Sequence, residues 1–430
     1  MNYDDALAFL DAHLNREAVA GRLEGLTVEP MVGLLGVLGD PHRAYPIIHI
    51  TGTNGKGSVA RMVTALLAEH GLTVGTYTSP HLVRVNERIA RNGEPISDEE
   101  LGAVIGELAD AGPLAGVEPS YFELLTAAAF AWFAEVAVDV AVVEVGLLGR
   151  YDATNVADAD VAVITNIGLD HTDGVGDWRA AVAWEKAGIV KPGSFLVLGE
   201  ADPALRPIFV EAAGDRLWTV GEEFGVTAEA AALGGRVVDL FTPSGVIDDV
   251  FIPLHGQHQA SNAALALAAV EAFFARPIDP EVARGGFAKS AVPGRFEVLR
   301  RNPLVIIDGA HNPPGAAAAA ATLDDEFHVD GRRILVLGLL EGRDPVAMLE
   351  AFDVRGADLV VACTPDSPRA ISASTLAGYV QAFGVRAEVA PAVDDALALA
   401  LANAEATDVV LVAGSLYVVG AARAALVRGS

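Results

Sequence analysis

Residues 49–58 read HITGTNGKGS, and this glycine-rich stretch decides how the first half of the chain is interpreted. It ends the apolar, β-branched run IIHIT (47–51) and is followed by VARMVTALLAEHG, whose apolar residues recur at helical spacing. TVGTYTS then has the pattern of another strand. A strand, a loop, a helix and a further strand make a βαβ unit, which predicts a parallel sheet.

The loop of this unit differs from the common phosphate-binding loop. Two residues stand between its first glycine and its Gly-Lys pair, where the common pattern has four. Backbone N–H groups at the start of a helix bind anions, and a lysine adds a point charge. The serine at the helix start either ligates Mg²⁺ or caps the helix. We therefore predict that ATP phosphates are bound by Thr53, Asn54, Gly55, Lys56, Gly57 and Ser58.

Composition limits the class of protein. The chain has 430 residues, of which 52% are hydrophobic and 20% charged, as in a well-buried α/β protein of two domains. A net charge of −28 argues against nucleic acid as a partner. No apolar run approaches the ~20 residues that span a bilayer, so we expect no membrane association. The acidic start lacks signal-peptide features, and Cys363 is the single cysteine; we expect a cytoplasmic protein in which this thiol is a buried small hydrophobe.

Strand-like and helical stretches alternate in two series along the chain. The first contains VAVDVAVVEVG (136–146) and VAVITNIG (161–168), which are continuous apolar runs typical of buried parallel strands. The second begins near residue 300, after the Pro- and Gly-containing connector AVPGRFEVLRRNP (291–303). We predict an α/β fold. A P-loop-type ATPase domain with a parallel sheet spans 1–296, and a smaller Rossmann-like α/β domain spans 297–430.

Several further strings identify a family. In chain order they are TSPHLVRVNERI (78–89), SYFELLT (120–126), VVEVGLLGRYDATN (142–155), ITNIGLDHT (164–172), EKAGIVKPG (185–193), GRFE (294–297), DGAHNP (308–313) and GSLYVVG (414–420). With the compressed loop GTNGKGS, they resemble the folylpolyglutamate synthases of the Mur ligase superfamily, including the bifunctional form that is also a dihydrofolate synthase. The resemblance covers essentially the whole chain.

The resemblance implies ATP-dependent amide formation. A carboxylate of folate or dihydropteroate attacks the γ-phosphate of ATP, and the acyl phosphate is then attacked by the amine of L-glutamate. It also implies a monomer. We consider two alternatives, a Mur-type ligase acting on another carboxylate and a nucleotide-binding regulator without catalysis. A peptidoglycan-type ligase usually carries an additional N-terminal domain, for which the loop position at residue 52 leaves no room.

The resemblance also implies site residues. Metal ligands for Mg²⁺ are expected at Ser58, Ser79, Glu144, His171 and Lys186, and catalytic roles at Lys56, Glu144, His171 and Lys186. A carboxylate inside an apolar strand, as at Glu144, needs a partner on any interpretation. Lys186 either reaches solvent, pairs with Glu185, or is carbamylated, as the corresponding lysine is in relatives. Burial would favour the neutral amine that adds CO₂.

The remaining expected residues contact nucleotide or pterin. Asn262, Arg295 and Asp308 match nucleotide-contacting positions, although Asn262 could instead cap a helix. The pterin is expected against Ser120, Tyr121, Phe122, Glu123, Tyr151, Asp152 and Ala153.

Three departures from the family pattern concern the substrate pockets. Leu148 stands where a glycine is usual and is costly if φ is positive there, Trp178 replaces a small polar residue, and Arg343-Asp344 replaces a Lys-Asp pair.

Overall fold

The run IIHIT forms a central strand, Ile47–Thr51, that is buried along its whole length. The structure, a computed structural model, describes residues 1–15, 27–169 and 176–428. The first sheet has eight strands in the order β4-β3-β2-β5-β1-β6-β7-β8. Pairing from β2 to β8 is parallel, whereas β3 and β4 are antiparallel. The strands are β1 Ile47–Thr51, β2 Val74–Tyr77, β3 Ile89–Arg91, β4 Glu94–Pro95, β5 Val140–Glu144, β6 Val161–Ile164, β7 Phe195–Leu198 and β8 Leu217–Thr219.

Helices cover both faces of this sheet, as the continuous apolar strands require. One face packs against α3 Lys56–Glu69, α8 Gln257–Phe274 and α9 Pro280–Ala288. The other packs against α1 Tyr3–Asp11, α2 Glu29–Val37, α4 Asp98–Ala115, α5 Tyr121–Glu135, α6 Trp178–Ala187 and α7 Arg206–Ala213. A three-stranded antiparallel sheet, β9 Gly225–Ala232, β10 Gly235–Thr242 and β11 Gly245–Ile252, packs beside α8.

A separate six-stranded sheet follows in the order β12-β13-β17-β14-β15-β16. Only β12 is antiparallel to its neighbour among these described strands. The strands are β12 Glu297–Arg301, β13 Leu304–Ile307, β14 Arg333–Leu337, β15 Leu359–Ala362, β16 Ala387–Val389 and β17 Val409–Ala413. One face is covered by α10 Pro313–Glu326, α11 Pro345–Ala351 and α12 Ala373–Ala382, the other by α13 Val393–Asn403 and α14 Leu416–Arg428.

The fold agrees with the predicted class, an α/β protein with two α/β sheets in sequence. The boundary after residue 296 remains a prediction; β12 begins at Glu297. Cys363 is buried as expected, and burial raises the pKa of its thiol to about 12. Asp344 caps α11 by accepting a 2.9 Å hydrogen bond from the Val346 amide. Within the described residues, no helix has the length and apolarity to cross a bilayer.

Candidate active site

The glycine-rich loop connects β1 to α3 at the carboxyl edge of the first sheet. Gly55 caps α3 with a φ of +83°, a left-handed conformation that glycine adopts without steric cost. The first helical bond runs from the Val59 amide to the Gly55 carbonyl, 2.9 Å. The amides of the three preceding helical residues therefore have no acceptor within the helix. This row of N–H groups, at the positive end of the helix dipole, is suited to binding phosphate.

The first two residues of the predicted phosphate set contact the neighbouring strand end. Asn166 Oδ1 accepts hydrogen bonds from the amides of Thr53 (3.2 Å) and Asn54 (3.0 Å). Thr165 Oγ1 donates to the Asn54 carbonyl at 2.5 Å. These two residues hold the loop against the end of β6. Since Gly55 is the cap, the alternative in which Ser58 caps the helix is wrong.

Two lysines converge on one carbonyl of the loop. Lys56 Nζ donates to the Gly52 carbonyl at 3.1 Å and to the Thr53 carbonyl at 3.4 Å. Lys186 Nζ donates to the same Gly52 carbonyl at 2.9 Å, from α6. Lys186 is only 2% exposed, so the alternative in which its side chain reaches solvent is wrong. The phosphate loop is therefore lined by two lysine side chains that approach from different helices.

Glu144 ends β5 directly beside this loop. It is 4% exposed, and its Oε2 accepts a 3.1 Å hydrogen bond from the Ser79 amide. A Cβ added to Gly57 would lie 3.4 Å from that oxygen, so the carboxylate faces the start of α3. Burial raises the pKa of Glu144, although the nearby charges of Lys56 and Arg295 and the Ser79 hydrogen bond oppose this shift.

The expected metal ligands come together only in part. Ser79 and Glu144 are adjacent, and a hydroxyl with a carboxylate is the oxygen donor set that Mg²⁺ prefers. Ser58 lies buried in the first turn of α3. His171 lies outside the described residues. Among the residues that the structure does describe, no group of three or more His, Cys, Asp and Glu side chains forms a metal site.

Three residues expected to contact nucleotide lie on α8, in the connector before β12, and directly after β13. Asn262 lies in the second turn of α8, which begins at Gln257, so the capping alternative is wrong. Its Oδ1 would be 2.5 Å from a Cβ on Gly55, which places this amide against the phosphate loop. The carboxylate oxygens of Asp308 accept hydrogen bonds from the backbone amides of Phe296 and Ala310, both at 2.8 Å.

The guanidinium of Arg295 lies close to Gly309 and within electrostatic range of Glu144. Asp308, through its bond to the Phe296 amide, fixes the connector residue next to Arg295. The carboxylate therefore orients the connector in addition to any contact with nucleotide.

The expected pterin residues surround a cavity of about 570 Å³. Residues near the end of α1 and the start of α2 complete its wall, among the described parts of the chain. Tyr121 differs from the expectation: it is buried in the core beside Arg88, because it points to another side of α5. Six of the seven expected residues line the cavity, namely Ser120, Phe122, Glu123, Tyr151, Asp152 and Ala153.

Polar side chains of this cavity also stabilise its frame. Ser120 and Glu123 form a capping box at the start of α5, in which the Glu123 carboxylate accepts the Ser120 amide at 2.6 Å. Asp152 accepts hydrogen bonds from the amides of Leu147 (2.8 Å) and Thr154 (3.0 Å). Burial raises the pKa of Asp152, and these hydrogen bonds counteract the shift. The aromatic faces of the cavity come from Phe122 and the exposed Tyr151.

Three site residues were missed in the sequence. Arg61 follows Ser58 by three positions on α3, and its charge acts on Glu144; helical spacing after the loop was the available signal. Asn166 and Asn312 contact the loop from more than a hundred residues away. Both lie in strings typical of the family, ITNIGLDHT and DGAHNP, but no spacing rule connects them to Asn54.

Comparison with known proteins agrees with this geometry. The Mur ligase middle domain matches residues 50–270, and the glutamate ligase domain of Mur ligases matches residues 294–416. The dihydrofolate synthase/folylpolyglutamate synthase of Mycobacterium tuberculosis is 45% identical over 370 residues, which cover 80% of this chain and 75% of that protein. This chain belongs to the dihydrofolate synthase/folylpolyglutamate synthase family.

Solved structures of the dihydrofolate synthase/folylpolyglutamate synthase family have the same fold. Mycobacterium tuberculosis folylpolyglutamate synthase complexed with ADP superposes with a TM-score of 0.90 at 39% identity, covering 99% of this chain and 98% of that one. The bifunctional synthase of Yersinia pestis complexed with AMPPNP and a manganese ion gives 0.86 at 31% identity, covering 99% and 98%. The protein is an ATP-dependent ligase with the Mur ligase architecture.

Proposed function

We propose that this ligase adds L-glutamate both to dihydropteroate and to reduced folates. The position of the cavity carries the proposal. Gly146 follows Glu144 by two residues and lies against the Phe122 ring, so that the cavity adjoins the strand end beside the phosphate loop. A flat pterin ring between Phe122 and Tyr151 would direct the rest of the substrate towards that loop, with the reacting carboxylate on the benzoyl group of dihydropteroate or on the glutamate tail of a folate.

The reaction follows from which groups meet there. A carboxylate oxygen of the folate attacks the γ-phosphorus of ATP, and ADP leaves. The glutamate amine then attacks the acyl carbon, an amide bond forms, and phosphate departs with the carboxylate oxygen. Lys56 and the free amides of α3 neutralise the charge that accumulates on the transferred phosphoryl group. Arg295 brings a further cation from the connector.

The donor set at this strand edge fits a divalent cation. Ser79 and Glu144 would hold Mg²⁺, and we propose His171, which lies outside the described residues, as an additional ligand. The cation would neutralise phosphate charge, which a protein with a net charge of −28 cannot do through its overall field. The manganese ion of the Yersinia pestis relative supports this choice.

We further propose that Lys186 is carbamylated. The amine is buried, in contact with the Gly52 carbonyl of the phosphate loop. Its neutral form would attack CO₂, forming a C–N bond and releasing a proton to give an anionic carbamate. Such an oxygen ligand would hold a second cation next to the γ-phosphate. Lys186→Ala should then fold normally, be nearly inactive, and regain part of its activity with small carboxylates; full activity of this variant, or of wild type freed of CO₂, would contradict the carbamate.

One assay tests the ligase function. The purified protein, with ATP and Mg²⁺, should release phosphate only when both L-glutamate and dihydropteroate or tetrahydrofolate are present. With ¹⁸O in the substrate carboxylate, one label should appear in the released phosphate, as an acyl phosphate requires. Turnover that does not depend on the pterin would contradict the folate substrate, and unlabelled phosphate would contradict the intermediate.

Two lysine variants test the phosphate site. Lys56→Ala should abolish ATP binding in a titration with Mg²⁺, whereas Lys289→Ala should bind as wild type. Lys289 is exposed and pairs with Glu69, so Lys289→Ala removes one positive charge, as Lys56→Ala does, at a site away from the loop. Equal affinities for the two variants would show that the loop is not the phosphate site.

We also propose that the protein is a cytoplasmic monomer. Light scattering coupled to size-exclusion chromatography would test the oligomeric state.

A further inference from the structure

The loop between β5 and the cavity makes a second contact that the reaction described above does not use. Gly149 and Arg150 of this loop pack onto the last turn of α6. A Cβ added to Gly149 would lie 2.7 Å from the Glu185 carbonyl oxygen and 3.0 Å from Lys186 Cα. The backbone of the loop therefore lies directly on the helical turn that carries the buried lysine.

Arg150 satisfies carbonyl groups at the end of this helix. The last carbonyls of any helix have no N–H donor within the helix and need donors from elsewhere. Here the Trp184 carbonyl accepts from Arg150 Nη2 at 3.1 Å, and the Glu185 carbonyl accepts from the Arg150 amide at 2.9 Å. The guanidinium also stacks on the Trp184 ring, 3.7 Å from its centroid. A cation at this position also interacts favourably with the negative end of the helix dipole.

The loop holds the helix end at a second point. Asn155 Nδ2 donates to the Gly188 carbonyl at 3.0 Å and to the Arg150 carbonyl at 2.8 Å. The last turn of α6 is thereby fixed on both sides of Lys186. Lys186 Nζ in turn reaches the Gly52 carbonyl of the phosphate loop at 2.9 Å.

We propose that Arg150 is a positioning residue for Lys186. Its hydrogen bonds and its stacking on Trp184 set the height and rotation of the last turn of α6, and hence the place of the lysine nitrogen against the phosphate loop. Arg150 acts through the helix and does not touch the transferred phosphoryl group. The inference rests on the proposed role of Lys186 in ligation.

The test compares Arg150→Ala with Arg284→Ala. Arg284 is a half-buried arginine on α9 that likewise donates to a backbone carbonyl, that of Asp248, at 3.0 and 2.9 Å. Arg150→Ala should lower kcat by about 10- to 100-fold, the usual effect of a misplaced catalytic group, and leave the KM for ATP nearly unchanged. Arg284→Ala should keep the wild-type kcat. Arg150→Lys should be intermediate, because an amine donates to the Trp184 carbonyl but does not stack as a plane.

A second readout follows Lys186 itself. Acetic anhydride labelling with mass spectrometry should modify Lys186 slowly in wild type and faster in Arg150→Ala, with the exposed Lys289 as internal reference. An unchanged kcat, or a lowered kcat with unchanged Lys186 labelling, would overturn the proposal. If Lys186→Ala proves active, the proposed role of the lysine fails, whereas the labelling still decides whether Arg150 positions it. Trp184→Ala provides the same test should Arg150→Ala not fold.

Discussion

Asn312 Nδ2 donates a 2.8 Å hydrogen bond to Oδ1 of Asn54, 258 residues earlier in the chain. Asn312 is 1% exposed and caps α10 on the second sheet, whereas Asn54 belongs to the phosphate loop. The glycine-rich loop is thus bonded directly to the C-terminal part of the molecule. Nucleotide bound at this loop would be in contact with both parts, as in ligases that close over their substrates.

Asn312 has two roles, as the cap of α10 and as the hydrogen-bond donor to Asn54, and a substitution can remove the second while keeping the first. In Asn312→Ser, the hydroxyl still accepts the Gly315 amide as a helix cap, a bond of 2.9 Å in wild type, but the donor to Asn54 is lost. We expect kcat/KM for ATP to fall about 5- to 10-fold, the equivalent of one neutral hydrogen bond. Initial-rate kinetics measures this, and urea unfolding should show a loss of no more than about 1 kcal/mol, because the helix cap is kept. Wild-type kinetics in this variant would show that the bond does not contribute to nucleotide use.

A buried ion cluster forms another contact between the two parts. Glu326, at the end of α10, forms a salt bridge with Arg236 of β10. The Oε2 atom of Glu326 also contacts His255 Nδ1 at 2.8 Å. The side chains of Glu326 and Arg236 are 3% and 5% exposed. Glu326→Gln would remove the buried counter-ion of Arg236 and leave only the partly exposed Glu229, 3.2 Å away, so we expect a loss of about 2 kcal/mol in unfolding free energy. Urea titration measures it, and Glu281→Gln, in an exposed pair, should lose less than about 1 kcal/mol.

The same cluster predicts how stability depends on pH. Burial alone would raise the pKa of Glu326, but hydrogen bonds from His255, Gly256 and Arg236 outweigh it and hold the pKa below its ordinary value. The stabilisation is therefore complete above the unfolded pKa of about 4.3 and is lost as pH falls through the folded value. The difference in unfolding free energy between wild type and Glu326→Gln should accordingly shrink below about pH 4. A difference that stays constant there would mean that the carboxylate charge is not what stabilises the cluster.

The sequence predicted those parts of the fold and site that depend on residues close to one another along the chain. The strand ending in Thr51, the loop and α3 follow from periodicity and from glycine at a helix start. The three-stranded sheet is harder to predict, because β9 has an exposed, alanine-rich sequence without clear alternation. Asn166 and Asn312 were not found, since their partners are separated by 112 and 258 residues. Contacts of that length depend on how strand ends converge, which local patterns do not encode.

Net charge predicts a response to salt. At −28, like charges on the surface repel one another and favour expanded states. Raising NaCl from low concentration to about 1 M shortens the Debye length to roughly 3 Å and screens this repulsion. We expect the Tm to rise by about 1–2 °C, equivalent to roughly 1–2 kcal/mol for a chain of this size. Sucrose at equal osmolality, which does not screen charge, serves as control; a Tm that falls or stays level with NaCl would contradict the prediction.

Leu148 provides the most direct test of a backbone expectation drawn from sequence. A leucine stands where the family pattern has glycine, and its φ is +57°, so the left-handed conformation suspected at this position is confirmed. The conformation is fixed by the Thr51 hydroxyl, which donates to the Leu148 carbonyl at 2.6 Å. A side chain in this region costs about 1–2 kcal/mol, whereas glycine adopts it freely.

Comparing Leu148→Gly with Leu148→Ala isolates that cost, because both variants lose the leucine side chain. The left-handed cost is present only in the alanine variant, and the extra freedom of unfolded glycine offsets about 0.4–1 kcal/mol of the difference. We expect the glycine variant to be more stable by roughly 0.5–1 kcal/mol in urea titration. At Ala398, an exposed position inside α13, the order should reverse, with Ala398→Gly less stable than wild type by about 1 kcal/mol. An alanine variant at position 148 as stable as the glycine variant would show that this turn relaxes to negative φ in solution.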